Sequence, residues 1–321
     1  FNDTATTEIY PLSLHDALPI WAGFAASPAA RSWATEPSAS FSIWTRSSAG
    51  RATGLRHSHD ATLPAPVIQR LQALAGERLG LESREGKELL ISNRAGRHMR
   101  QLGISSPTEY LRRVESDPSG ETTRELLDLL TTNHTAFWRE PSHFRWFAGF
   151  LAALPSSRSI TVWCAAASTG EEPYTLAMVA HEALGASASG RIRILATDVS
   201  TRVLETAEHA IYTKERVSAL PEGYKDNYFE PGRGRWRDHL RVKTVIREMV
   251  HFRWLNLNEP FPRMGPFPVI FCRNVMIYFD HKTQQELVEK LMAQLAPGGY
   301  LIVGHSESLL SVKHSLKSVC A

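Results

Sequence analysis

Thr161-Val162-Trp163-Cys164-Ala165-Ala166-Ala167-Ser168-Thr169-Gly170-Glu171-Glu172-Pro173-Tyr174 is the stretch from which the fold is read. It opens as a β-branched and aromatic run, the composition of a buried strand. Small residues and a glycine follow, where a ligand can approach the backbone closely. Pro173 then stands near the start of a helical pattern carried by Tyr174, Leu176, Ala177, Met178 and Ala180, a position where its missing N–H costs least. A strand, a tight turn and a helix N-terminus form the nucleotide-binding corner of an α/β sheet. Glu171 and Glu172 at that mouth would repel a pyrophosphate and favour a cationic or hydroxyl-bearing ligand. S-adenosylmethionine, with its sulfonium, ammonium and ribose, fits. A pair of glutamates that only complements the helix dipole is the competing reading.

Working outward, residues 191–198 end in Thr197-Asp198 and read as a second strand. An acid in that place of a βαβ unit accepts ribose hydroxyls. Ser200 can cap the helix expected over 201–210, leaving Asp198 for the ribose. Leu255-Asn256-Leu257-Asn258 closes another strand. Pro268-Val269-Ile270-Phe271-Cys272 is a fourth, with Arg273, Asn274 and Tyr278 just past its carboxyl end, where open α/β sheets bind ligands. A helix over 281–295 is expected to end at Gly298-Gly299, before a fifth strand over 300–305. Strands alternating with helices imply a doubly wound, mostly parallel sheet.

The chain has 321 residues, 43% of them hydrophobic, enough for one sizeable core and a smaller domain. A net charge of +3 says little about partners. Cys164, Cys272 and Cys320 lack the spacing of a zinc or disulfide framework; Cys164 and Cys272 stand in apolar strands and are expected to be inert core thiols, in a reducing setting. No apolar run approaches the ~20 residues of a membrane span, and no secretory leader opens the chain. Membrane insertion is therefore not expected, and neither is a bound metal. His57, His59 and Asp60 are grouped but stand in a loose segment with no further ligand near.

Three regions follow. Residues 1–63 are expected to be a disordered or artefactual segment, poor in any apolar period, and residues 1–20 resemble a translated sequencing adapter. Residues 64–130 read as a small helical domain. Val67, Leu71 and Leu74 share a face ended by Gly80, a second helix runs over about 82–102, and Ser106-Pro107-Thr108-Glu109 is a capping box. A fourth helix lies near 124–130. Residues 131–321 form the sheet domain, with a β-rich insertion at about 213–250. Lys87, Arg94, Arg97, His98 and Arg100 on the second helix are either a docking face for an acidic helix or a solvated charged face.

Several motifs occur together: Asn133-x-Thr135-x-Phe137-x-Arg139-Glu140, then Ala167-Ser168-Thr169-Gly170-Glu171-Glu172-Pro173-Tyr174. Cys272-Arg273-Asn274-Val275-Met276-Ile277-Tyr278-Phe279 and Gly304-His305-Ser306-Glu307 complete the set. The chain over about 64–315 resembles the chemotaxis receptor methyltransferases, the CheR family. That resemblance implies a helical domain joined to an S-adenosylmethionine-dependent methyltransferase domain with an inserted β-subdomain. The implied activity is methyl-ester formation on glutamates of chemoreceptor cytoplasmic helices, by a cytoplasmic, monomeric enzyme. The implied cofactor contacts are Asn133, Thr135, Arg139, Glu172, Asp198, Asn256, Leu257, Arg273 and Asn274, with Arg139 and Tyr278 shaping the methyl-transfer site. In that comparison the family's last strand is cut short at Ala321. Two other classes stay open: a methyltransferase on another substrate, and a non-catalytic receptor-docking module. A nucleic-acid enzyme would show a basic groove or a base-flipping Pro-Pro-aromatic motif, and residues 273–278 lack the latter, so a nucleic-acid partner is not expected.

Overall fold

The computed structural model describes Glu8–Pro11 as backbone, and residues 63–81, 86, 88–117, 121–131 and 133–320. His57, His59, Asp60 and Lys87 lie outside the described residues.

Four helices come first among the helical elements: α1 (Ala65–Leu79), α2 (Glu88–Gln101), α3 (Pro107–Glu115) and α4 (Glu121–Leu130). In α1, Val67, Ile68, Leu71, Leu74 and Ala75 recur at helical spacing and are all buried. Gly80, at φ 69°, stops it, its N–H reaching Gly76 O. Ser106 caps α3 by accepting the Glu109 N–H, and Pro107 opens the first turn. The four helices close over Leu71, Ala95, Tyr110 and Leu126. His98 is buried there, bonded through one ring nitrogen to the Tyr110 hydroxyl at 2.9 Å and through the other to Glu125 at 3.0 Å.

The strands are β1 (Glu8–Pro11), β2 (Ile160–Ala165), β3 (Ile192–Asp198), β4 (Ile211–Thr213), β5 (Phe229–Pro231), β6 (His239–Val242), β7 (Val250–Trp254), β8 (Phe267–Cys272), β9 (Leu295–Ile302) and β10 (Val319–Cys320). Seven form one sheet in the order β10-β1-β9-β8-β2-β3-β7, parallel from β9 to β7. Two more helices pack on it, α5 (Pro141–Ala152) and α6 (Glu171–Leu184). The inner strands are apolar on both faces, as a covered parallel sheet requires. Phe267 and Phe271 of β8 are fully buried, each burial stabilising by about 1.5–3 kcal/mol. Trp163 of β2 is also fully buried and donates its indole N–H to Thr197 Oγ1 at 2.9 Å.

Elsewhere the structure departs from the sequence reading. Glu8–Pro11 lies in the segment read as structureless, yet it pairs antiparallel with both β9 and β10, supplying backbone partners along the β9 edge. The second helix begins at Glu88 rather than near residue 82. Gly298 and Gly299 do not end a helix; that helix stops at Met292, and both glycines lie within β9. The β8–β9 register is irregular there, and a Cβ on Gly299 would meet Phe267 O at 3.0 Å and Pro268 O at 3.1 Å, the close approach that a strand glycine permits. The insertion is a three-stranded sheet, β4-β6-β5, which begins at Ile211, while β7 belongs to the main sheet.

Candidate functional site

Chain order reverses between β2 and β8: β3 and β7 lie on one side, β9 on the other. The loops leaving the carboxyl ends of β2, β3, β7 and β8 surround the cleft at that switch point, where doubly wound sheets bind ligands. The cleft, together with the open solvent at its mouth, takes in about 1010 Å³. Leu79 and Leu81, at the end of α1, form one wall. Asn256 donates its side-chain N–H to Arg78 O at 2.8 Å, and Leu81 forms a bridge with Phe279, so helical region and sheet are tied together at the cleft.

The turn after β2 is held by backbone bonds. Ala167 N–H donates to Thr197 O and Ser168 N–H to Asp198 Oδ2, both at 2.8 Å. Ala166 and Ser168 adopt φ of 67° and 50°, and Gly170 93°. A Cβ on Gly170 would lie 2.8 Å from both Ala207 Cβ and Tyr212 Oη, so the turn requires glycine. Left-handed non-glycine residues cost energy and cluster where a site needs them; Trp138, Glu140 and Asn274 add three more around this cleft.

Charge is arranged around Arg273, whose side chain is fully buried. One guanidinium nitrogen pairs with Glu172, and another donates to Glu140 Oε2 at 2.9 Å and to Arg139 O at 2.6 Å. Asn274 donates to the other Glu140 oxygen at 3.1 Å. Burial pushes the Glu140 carboxyl up, but the Arg273 charge and these hydrogen bonds outweigh it and hold the group at about 2. Asp198 is buried, and burial raises its carboxyl against the backbone N–H groups that it accepts. Ser200 caps the following helix by accepting the Val203 N–H. Glu307 gathers the N–H groups of Gly304, Asn274, Val275 and Met276 at 2.7–2.8 Å, fixing the loop after β8.

Asn133, Thr135, Arg139, Glu172, Asp198, Asn256, Leu257, Arg273, Asn274 and Tyr278 all line this one cleft. Their assignments to ligand or chemistry remain readings. Arg139 donates to His134 O at 3.0 Å and, among the described residues, meets no carboxylate. Two expectations change. Glu171 does not share the mouth with Glu172; it is fully buried and pairs with Arg216. Arg94 is not part of an open docking face, because its guanidinium holds the carbonyls of Leu129, Leu130 and Thr131 at 2.7–3.0 Å. With His98 inside the helical core, Arg97 and Arg100 are the members of that group that stand exposed among the described residues.

The sequence reading quoted Glu140 and Glu307 without assigning either to the site. Both act on groups more than 30 residues away, so local pattern gives no sign of them. His143 was missed as well. It is fully buried beside Glu140, 3.4 Å from Oε2, and its ring meets His305 edge-on with centroids 5.0 Å apart. Burial, and then the Arg273 charge, lower His143 to about 3. Glu140, His143 and His305 place three donor atoms within 4.8 Å of one another, but the cation that faces Glu140 is Arg273.

The family model described as "CheR methyltransferase, SAM binding domain" matches residues 133–321, and "CheR methyltransferase, all-alpha domain" matches residues 67–131. The chain is 40% identical over 242 residues to a chemotaxis protein methyltransferase of Escherichia coli, covering 75% of this chain and 84% of that protein. A Klebsiella aerogenes protein of the same description is 39% identical over 246 residues, 76% of this chain and 84% of that one. One from Borreliella burgdorferi is 37% identical over 256 residues, covering 77% and 89%.

Proposed function

We propose, from the premise that this chain belongs to the CheR methyltransferase family, that it converts glutamate side chains of chemoreceptor cytoplasmic helices into methyl esters. That it is a methyltransferase with an S-adenosylmethionine-binding domain follows from the family. The glutamyl substrate, the receptor and the residue roles are our reading.

The observation that carries it is the charge of the cleft. Glu172 and Asp198 line the cleft together with Arg139 and Arg273, and Arg273 is consumed by Glu172 and by Glu140 beside it. That leaves one acid, Asp198, and one arginine, Arg139, with no opposite charge paired to them among the described residues, which suits a hydroxyl-bearing sulfonium cofactor together with an incoming carboxylate. Asp198 would take the ribose hydroxyls. A carboxylate has about four acceptor sites, and those not used by the Ser168 and Ser200 N–H groups remain. The backbone of Ser168 and the apolar Leu257 would flank the nucleoside.

S-adenosylmethionine, if bound there, would supply an electrophilic methyl on a sulfonium that leaves as a neutral thioether when the carboxylate oxygen takes the methyl. Glutamate, with a reference pKa of about 4.3, arrives as a carboxylate, so the chain needs no general base. Arg139 holds a carboxylate through its planar fork. Tyr278, which lines the cleft, would wall the transfer site and offer its hydroxyl to it. The rest is positioning and exclusion of water.

The enzyme would act as a cytoplasmic monomer, and no helix among the described residues is long and apolar enough to cross a membrane. Arg97 and Arg100 would meet the acidic receptor helix. The test is transfer of labelled methyl to a receptor cytoplasmic fragment. Label released by mild base, and lost when the receptor glutamates become alanine, is expected; base-stable label would overturn the ester assignment.

A further inference from the structure

Glu171 stands at the first position of α6 with no exposed surface, and its partners all lie on one side. One carboxylate oxygen accepts the Thr169 hydroxyl at 2.7 Å; the other pairs with the Arg216 guanidinium. Arg216 also donates to Thr169 Oγ1 at 2.8 Å and lies over the Tyr212 ring, 5.7 Å from its centroid. Tyr212 in turn donates its hydroxyl to Thr169 O at 2.7 Å. Arg216 is carried by the helical turn Lys214–Val217, which follows β4. Tyr212 is on β4 itself. Both belong to the inserted three-stranded sheet, whereas Thr169 and Glu171 belong to the turn lining the cleft.

We propose that Arg216 is a positioning residue: it latches the inserted sheet onto the cofactor turn by neutralising the buried Glu171. The cofactor consequence rests on the function proposed above; the latch itself does not. A buried carboxylate that loses its cation must either take up a proton or pull its segment toward water. Here the segment is the turn carrying Ser168. The groups that face Glu171 are the Arg216 cation, the Thr169 hydroxyl and the Tyr212 phenol, whose ionisation burial pushes up. Among the described residues Arg216 is the cation paired with Glu171. Through this contact anything that shifts the inserted sheet shifts the turn, and the coupling runs equally in the other direction.

The test compares wild type, Arg216→Met, and Arg216→Met combined with Glu171→Gln between pH 6 and 8.5. Amide exchange of residues 168–170 is read without ligand, alongside calorimetric affinity for S-adenosylhomocysteine. In Arg216→Met the turn should exchange at least tenfold faster at pH 8.5, where Glu171 ionises without a partner, and approach wild type at pH 6. The double variant should lose this pH dependence. Affinity should follow the same pattern. Exchange in Arg216→Met that matches wild type at every pH, or that rises equally in the double variant, overturns the latch. Exchange that responds as stated in a chain whose wild type does not bind the cofactor product leaves the latch standing and sinks the cofactor reading instead.

Discussion

Glu140 Oε2 and Arg273 Nη2 meet at 2.9 Å across 133 residues of chain, and this contact locks the segment before α5 to the loop after β8. Glu140 follows Arg139 directly, so the same ion pair sets the place of the arginine assigned here to the reacting carboxylate. Arg273 is shared between Glu140 and Glu172, which leaves Arg139 to meet a ligand.

Breaking that pair should be costly. Glu140→Gln removes one of two acids from a fully buried guanidinium, and loss of a buried partner destabilises by about 3 kcal/mol. The pH dependence has a definite sign. Glu140 is held at about 2, below the ordinary glutamate value of 4.5. A depressed carboxyl contributes stability that is complete above its unfolded value and is lost as pH falls through the folded one. The stability gap between wild type and Glu140→Gln should thus shrink from about pH 4.5 down to about pH 2. Urea titrations across that range check it, and a constant gap would refute the assignment.

Asp198→Ala should weaken S-adenosylhomocysteine binding by about 1.5–3 kcal/mol, the worth of a hydrogen bond to a charged group. Because Asp198 also holds the Ser168 and Ser200 N–H groups, melting temperature should fall too. Asp198→Asn keeps an acceptor oxygen, so it should lose less stability while still losing affinity. Calorimetry that finds affinity unchanged in both variants would remove Asp198 from the ribose site.

What the sequence reveals and conceals here follows from interaction range. The end of α1 at Gly80, the Ser106 cap and the apolar runs of β2, β3 and β8 rest on neighbours within a few residues, and they are legible. The opposite fates of Glu171 and Glu172 are legible in helix geometry. Consecutive residues differ by about 100° around the axis, so the two cannot face one mouth. Arg94 likewise stands one helical turn from Ile91 and His98, two buried residues, which marks the inner side of α2. Glu140 and Glu307 are another matter. Apart from the Gly304 N–H that Glu307 takes within its own loop, their partners are brought to them by the finished sheet, and local spacing does not signal those contacts.

Arg97 and Arg100 should therefore carry the docking effect without Arg94. Reversing both to glutamate should raise the receptor KM severalfold, weaken its salt dependence and leave cofactor affinity alone. Arg94→Glu should instead lower the melting temperature, since it removes a cation from three carbonyls at the end of α4. Receptor methylation indifferent to the double reversal would return that face to ordinary solvated surface.

The proposed chemistry assigns methyl transfer to Arg139 and Tyr278, which line the same cleft from segments far apart in sequence. Tyr278 lies in the short helical turn Met276–Tyr278, whose approach the Glu307 carboxylate fixes by taking the Val275 and Met276 N–H groups. Its ring is thus placed by backbone and not by its own hydroxyl. Tyr278→Phe keeps the wall and removes one donor, so single-turnover transfer with saturating cofactor should slow by about tenfold or less. Tyr278→Ala also removes the wall and admits water, and it should slow transfer further at a similar melting temperature. Arg139→Lys keeps the charge but loses the planar fork, so it should lower the transfer rate, with a smaller effect on cofactor affinity. If Tyr278→Phe is silent and Tyr278→Ala acts only through a lower melting temperature, the tyrosine is a packing residue. Rates unchanged in both Arg139→Lys and Tyr278→Phe would place methyl transfer on other groups of the cleft.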